Sequence, residues 1–331
     1  MHPARGRPNG SVPSSVSSAA SALYRVSLHT GLVLWRLAAE DGAAMSYTDA
    51  ALARIWHRIP AEWQHSSVGL AYGRFLHHRA SRKQRRLPEA TSTFFLRNEP
   101  QLAVLRDLVV AWPAERPLRV ASIACSSGAE LYSMLWTLRT ARPDLCITGV
   151  GMDLSAEAVA RAQAARYHRA DRELARMDEA RLARLCEPGG LFAAEDDALV
   201  VRPEVRANTR WLVSDALDPA LSFNLGLQDI VLANNILCHL ADDVVESCFH
   251  NLARLLAPGA VLGTYGVDLD VKTRCVRAIG LRPLPSRVAE AYEADQAAQH
   301  AWPLIYWGRE PFDPRRQDWL ERYASVYTVP G

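Results

Sequence analysis

Between residues 100 and 265 the apolar positions alternate between helical spacing and short continuous runs. Helical spacing predicts helices at 100–112, 129–141, 155–166 and 242–256. The apolar runs predict strands at 118–124, 146–152, 208–213, 228–233 and 260–265. Buried strands alternating with amphipathic helices imply an α/β fold, because each crossover lays a helix over a mostly parallel sheet. The alternation breaks at 167–207. A charged helix near 171–186 is followed by Pro188-Gly189-Gly190 and by two strand-like runs, 191–194 and 198–202, joined at Asp196-Asp197. That pattern predicts an inserted β-hairpin subdomain. Upstream, 48–86 is helical: Leu52, Ile55, Trp56 and Ile59 share one face before Pro60, and a second helix runs from about Ser67 to Arg86. Downstream, a helix near 271–279 and strands at 286–292 and 304–308 are expected. The organisation read from this is 1–44 outside the fold, 45–90 helical, 91–312 the sheet domain and 313–331 a tail.

Composition narrows the class. A chain of 331 residues accommodates one large or two moderate domains with an ample core. Its net charge of +2 leaves no electrostatic footprint for nucleic acid or a membrane surface, so neither is an expected partner. No apolar run reaches the length of a bilayer span. Cys125, Cys146, Cys186, Cys238, Cys248 and Cys275 are scattered, mostly inside apolar patterns, without a CxxC pair. They are expected to be reduced residues of a cytoplasmic protein, with no metal site. Residues 1–20, rich in Ser, Pro, Ala and Gly, are expected to be disordered. Residues 1–39 contain no acidic side chain, so an organelle-type presequence is one reading and a start at Met45 another. The basic run Arg79, Arg82, Lys83, Arg85 and Arg86 reads as a solvated helix face.

Residues 119–133 carry the most chemistry. An apolar strand ends in Ala124, Cys125, Ser126 and Ser127, turns at Gly128 and meets Glu130 at a helix start. Open α/β sheets bind ligands at the carboxyl ends of their strands, and small residues let a ligand lie against bare backbone. A phosphate site would favour N–H groups or a lysine there. A carboxylate suits a cationic ligand, such as the ammonium end of S-adenosylmethionine. One strand later, Asp153 ends an apolar run, where nucleotide folds place an acid on the ribose hydroxyls. It could instead cap the next helix, but Ser155 is available for that.

In this order, the motifs resemble those of the CheR-type methyltransferases, S-adenosylmethionine-dependent enzymes that esterify glutamates on chemotaxis receptors. Thr93-Phe94-Phe95-Leu96-Arg97-Asn98 is similar to the family's Thr-x-Phe-Phe-Arg-Glu, with Leu102 and Leu105 on the following apolar positions. Residues 124–133 resemble Gly-Cys-Ser-Thr-Gly-Glu-Glu-Pro-Tyr-Ser, and Asp153 matches the ribose-binding acid. Ala165-Arg166-Tyr167 matches the Gly-x-Tyr that opens the family's insertion. Residues 211–217 place Asp215, with Ala216 beside it, where the family has an adenine-contacting Asn. Residues 233–240 sit on Cys-Arg-Asn-Val-x-Ile-Tyr-Phe. The resemblance implies a Rossmann-like class I methyltransferase fold and S-adenosylmethionine as cofactor. It implies cofactor contacts at Thr93, Ala124, Ser126, Gly128, Glu130, Asp153, Asp215, Ala216, Asn234 and Asn235.

The departures fall on the acceptor side. His239 replaces a tyrosine, Asn234 an arginine, and Ala129 the first glutamate of the pair. Arg97 is the candidate to orient an acceptor carboxylate with two parallel hydrogen bonds. An amine or hydroxyl acceptor would need a base, and His239 is the candidate for that. The acceptor is read as a carboxylate on a protein or a small molecule. The alternatives are N- or O-methylation of a metabolite and a non-catalytic cofactor-binding regulator. Tyr132 is expected in the core, and Trp302, Tyr306 and Trp307 either pack or cover the acceptor.

Overall fold

The computed structural model describes residues 47–84 and 93–330. The expectations for 1–20, for a presequence in 1–39 and for Met45 lie outside the described residues, as do Arg85 and Arg86. The chain divides into two compact units, the first ending at Ile55 and the second beginning at Trp56. The first contributes, among the described residues, the start of a helix over Tyr47–Arg58. The second holds the remaining described residues.

Its centre is a seven-stranded sheet built from β1 (Leu118–Ile123), β2 (Ile147–Asp153), β6 (Thr209–Val213), β7 (Gln228–Leu232), β8 (Leu256–Gly263), β9 (Arg282–Pro283) and β10 (Val326–Thr328), in the order β6-β2-β1-β7-β8-β10-β9. The five strands from β6 to β8 run parallel, and β10 pairs antiparallel with both β8 and β9. Strands β1 and β7 are apolar because both faces are covered. Ala121, Ile123, Val231 and Leu252 sit in one core layer, and Leu118, Val120, Leu131 and Leu135 in the other. From β1 the chain builds first toward β2 and β6, then returns to place β7 on the other side. That reversal opens a crevice at the carboxyl ends of β1 and β7.

The insertion is a three-stranded sheet, not a hairpin alone. β3 (Arg166–His168) joins β5 (Ala198–Val201), which pairs in turn with β4 (Phe192–Glu195). A three-residue strand is too short to show a period, which hid it in the sequence. The charged helix expected at 171–186 is interrupted: a 3-10 turn at Arg172–Leu174 precedes a helix at Glu179–Cys186, which Asp178 caps by accepting from Arg181 N–H.

Three expectations past residue 280 are corrected. The segment 286–292 is not a strand. Val288–Glu293 is a helix, whose buried Val288, Ala291 and Tyr292 fall at i, i+3 and i+4. The segment 304–308 is a succession of turns, folded back until Gly308 lies against the backbone of Ala301 and Trp302. The sheet domain does not end at 312, because β10 lies inside the sheet between β8 and β9.

Candidate active site

The crevice at the strand ends holds a cavity of about 450 Å³, within the range of small-molecule sites. Its floor is the loop after β1. Ala124, Ser126 and Gly128 all have positive φ (54°, 51° and 87°). Two of these are not glycine, so the loop stores strain that its surroundings must hold. Asp153, at the end of β2, does the holding: its Oδ2 accepts from Ser126 N–H at 2.7 Å, and its Oδ1 from Ser155 N–H at 2.9 Å. Ser155, not Asp153, caps the next helix by accepting from Ala158 N–H. Asp153 therefore keeps its remaining lone pairs toward the cavity it lines. Ser127 and Tyr167 tie the loop to the insertion. The Ser127 hydroxyl donates to Glu173 at 2.6 Å, and the Tyr167 hydroxyl donates to the Ser127 carbonyl at 2.5 Å.

Glu130 stands in the first turn of the helix Ala129–Ala141, where the helix dipole favours a negative charge. Both of its oxygens are held: Oε1 accepts from the Ser122 hydroxyl at 2.7 Å and Oε2 from Asn234 Nδ2 at 2.9 Å. Asn234 is itself fixed by Gln101. Its Nδ2 donates to Gln101 Oε1 at 2.9 Å, and its Oδ1 accepts from Gln101 Nε2 at 3.3 Å. Gln101 Nε2 also donates to the Ser325 carbonyl at 2.9 Å. Burial pushes the Glu130 carboxyl above its ordinary value, opposed by Ser122, Asn234 and the charge of Arg97. The partly buried Glu130 and the buried Asp153 thus line the same cavity. Beside Asp153 lies Leu154, an apolar side chain left 71% exposed.

Arg97 brings the other polarity to the same cavity. The turn 93–98 is pinned by Phe95, whose ring meets Tyr167 and Phe192 edge-on, each at 4.8 Å. Leu96 N–H donates to Ser133 Oγ at 2.9 Å. Arg97 then enters the cavity and donates from Nη2 to Asp295 Oδ2 at 3.1 Å. Burial works against the Arg97 cation, but Tyr265 and Asp295 outweigh it and its pKa is raised. His239, in a 3-10 turn just past β7, also lines the cavity, and its Nδ1 lies 2.8 Å from the Tyr306 hydroxyl. Burial first and the Arg97 charge second lower its pKa, leaving a neutral imidazole at pH 7.

Of the residues singled out from sequence, Thr93, Arg97, Ala124, Ser126, Glu130, Asp153, Asn234, Asn235 and His239 meet in this one cavity. Gly128, Asp215 and Ala216 do not line it. Gly128 serves by its φ and by its bareness, since a Cβ there would lie 2.8 Å from the Trp211 ring. Asp215 is exposed and spends its carboxylate on Leu217 N–H at 2.9 Å; Ala216 packs in the core. Tyr132 is a core residue, its hydroxyl donating to the Ala162 carbonyl. Sequence reading missed Gln101, Ser122, Tyr265 and Asp295. For Gln101 and Ser122 a signal existed: each is a polar residue on an otherwise buried face.

The arrangement fits a ligand with a cationic end and a hydroxylated ring. Glu130 would accept from an ammonium group and Asp153 from ribose hydroxyls, with apolar surface at Leu154. A family described as "CheR methyltransferase, SAM binding domain" matches residues 91–265, more than half of the chain. The "Probable biofilm formation methyltransferase WspC" of Pseudomonas putida is 33% identical over 193 residues, covering 57% of this chain and 42% of that protein. The "Chemotaxis protein methyltransferase 1" of Vibrio cholerae is 28% identical over 179 residues, covering 51% of this chain and 62% of its own. The chain thus spans about half the length of these relatives. Among solved structures, a TehB-like SAM-dependent methyltransferase from Corynebacterium glutamicum aligns over 56% of this chain and 74% of its own, at 15% identity and a TM-score of 0.34. The plantazolicin methyltransferase BpumL in complex with SAH aligns over 80% and 70%, at 13% identity and a TM-score of 0.32.

Proposed function

The chain belongs to the CheR methyltransferase family, and from that membership we propose that it transfers a methyl group from S-adenosylmethionine to a carboxylate, in first place a glutamate of a protein. When bound, the cofactor supplies a methyl group already activated by its sulfonium. The protein's work is then to hold two partners in line, a geometry worth up to about 7–11 kcal/mol of barrier. Glu130, oriented by Ser122 and Asn234, would hold the ammonium; Asp153 would take the ribose hydroxyls. Arg97 would hold the acceptor carboxylate, which is already an anion at neutral pH and needs no base.

The observation that carries this reading is one cavity lined both by a carboxylate held at two points, Glu130, and by an ion-paired guanidinium, Arg97. A protein acceptor accords with the name of the Vibrio cholerae relative, a chemotaxis protein methyltransferase, and a small acid is the alternative within the same chemistry. Six unbridged cysteines accord with a cytoplasmic setting. Among the described residues no helix is long and apolar enough to cross a membrane.

A second reading, methylation of an amine or hydroxyl with His239 as base, draws on the position of His239 in the cavity. Its electrostatics run against it: burial and Arg97 both disfavour the imidazolium that a base must become. Incubation with methyl-tritiated cofactor and a cell extract separates the two. A carboxyl ester releases its label as methanol in alkali, and His239→Phe retains that labelling. Alkali-stable label, abolished by His239→Phe, would replace the proposal with the second reading.

A further inference from the structure

The carboxylate that anchors Arg97 comes from outside the region shared with the family. Asp295 precedes the short helix Gln296–Ala301 and is 4% exposed. Arg97 Nη2 reaches its Oδ2 at 3.1 Å, Arg176 its Oδ1 at 3.5 Å, and Arg309 Nη2 lies 3.8 Å from Oδ2. A second bond clamps the same two segments together, Asn98 Nδ2 donating to the Ala291 carbonyl at 2.9 Å. Three guanidinium groups from three distant segments thus share one buried carboxylate.

A second, partly buried carboxylate lines the cavity that Arg97 enters. Glu130 lines the same cavity, and the Arg97 charge already acts on it through space. In a poorly solvated site a guanidinium moves to whichever carboxylate is left uncompensated. A guanidinium drawn onto Glu130 would fill the place that an incoming ammonium needs. We propose that Asp295 is a positioning residue that holds Arg97 off Glu130, keeping Glu130 open to the cofactor and Arg97 turned to the acceptor. One carboxylate thereby sets both halves of the site. Burial alone would raise the Asp295 carboxyl, and the charges of Arg97, Arg176 and Arg309 together hold it below its ordinary value, so it stays an anion.

The inference rests on Glu130 as the ammonium partner, and calorimetry with S-adenosylhomocysteine tests the two apart. Asp295→Asn should weaken binding about tenfold, an ordinary size for charge coupling between neighbours. Adding Arg97→Gln to that variant should restore affinity to within about threefold of the unaltered protein, because the competitor is gone. Asp295→Glu, which keeps the charge, should also bind within about threefold and serves if the asparagine variant does not fold. An unchanged Asp295→Asn, a double variant as weak as Asp295→Asn, or a folded Asp295→Glu that fails to bind would each overturn the inference. Glu130→Ala in the same assay separates the premise. If it binds as the unaltered protein does, the cofactor reading falls; if it loses binding while Asp295→Asn does not, only the role of Asp295 falls.

Discussion

Replacing Glu130 with glutamine removes a charge and almost no volume, and the surroundings can absorb the change. The glutamine oxygen can accept from Asn234 Nδ2, where Oε2 does so at 2.9 Å. Its amide can face Ser122, whose hydroxyl now donates at 2.7 Å and can turn to accept instead. The fold therefore loses no hydrogen-bond partner. What is lost is the charge-assisted bond to an ammonium, worth about 1.5–3 kcal/mol, or roughly 10- to 150-fold in Kd. Titration calorimetry with S-adenosylhomocysteine at neutral pH should show that loss.

The ligand-free protein should move the other way. Burial raises the folded-state value of Glu130 above its ordinary 4.5. The stability tied to its neutral form is fully present below pH 4.5 and is lost as pH climbs through the raised value. Glu130→Gln removes that penalty, so melting of the ligand-free variant at neutral pH should be unchanged or later. The pH dependence of binding follows the same window with opposite sign, since affinity grows as the carboxyl ionises, and the variant should lack that slope. An unchanged Kd would refute the assignment. A fall in affinity matched by a fall in melting temperature would make Glu130 a structural residue.

Gln101→Leu leaves Asn234 without the amide that aligns it with Glu130, and should weaken S-adenosylhomocysteine binding by about threefold to tenfold; calorimetry with equal affinity would detach Gln101 from the site. His78 faces Asp268 at 3.6 Å and Asp270 at 3.5 Å, and its pKa is raised, first by the hydrogen bond to Asp270. That contribution is fully present below pH 6.5 and lost as pH rises through the raised value, so denaturant unfolding of His78→Gln across about pH 6–9 should show a flatter stability profile than the unaltered protein.

The parts of the site legible in the sequence are those where neighbours in the chain are neighbours in space. The loop 124–128 and Glu130 follow one strand directly, and Ser155 capping its own helix left Asp153 for the loop and the cavity. The sheet from β6 to β8 was legible for the same reason, because its strands run for five to eight residues. Asp215 shows where sequence position misleads. A carboxylate two residues before a backbone N–H can satisfy itself locally, and it did so with Leu217. The contacts that complete the site join residues far apart: Gln101 and Asn234 are 133 positions apart, Arg97 and Asp295 198. No periodicity encodes such a pairing. The strands at Arg166–His168 and Val326–Thr328 stayed hidden because three residues carry no pattern.

This division has a consequence for the chemistry. The side of the cavity proposed for the cofactor lies at the ends of β1, β2 and β7, the strands flanking the reversal of strand order, so it follows from the topology itself. The side chains proposed to meet the acceptor, and those that hold them, are not dictated by the topology. Arg97 comes from a turn before the sheet, its partner Asp295 from just before a short helix after it, and Tyr306, the partner of His239, from the turns that follow. Two chains can therefore share the cofactor side in full and differ in what they methylate. Here Arg97 and His239 take their partners Asp295 and Tyr306 from beyond residue 265, where the family's shared region ends. Acceptor choice is thus to be sought by exchanging residues in 290–310, with Glu130 and Asp153 left in place. Such exchanges should alter the methylated product while S-adenosylhomocysteine still binds, provided the charge at 295 is kept.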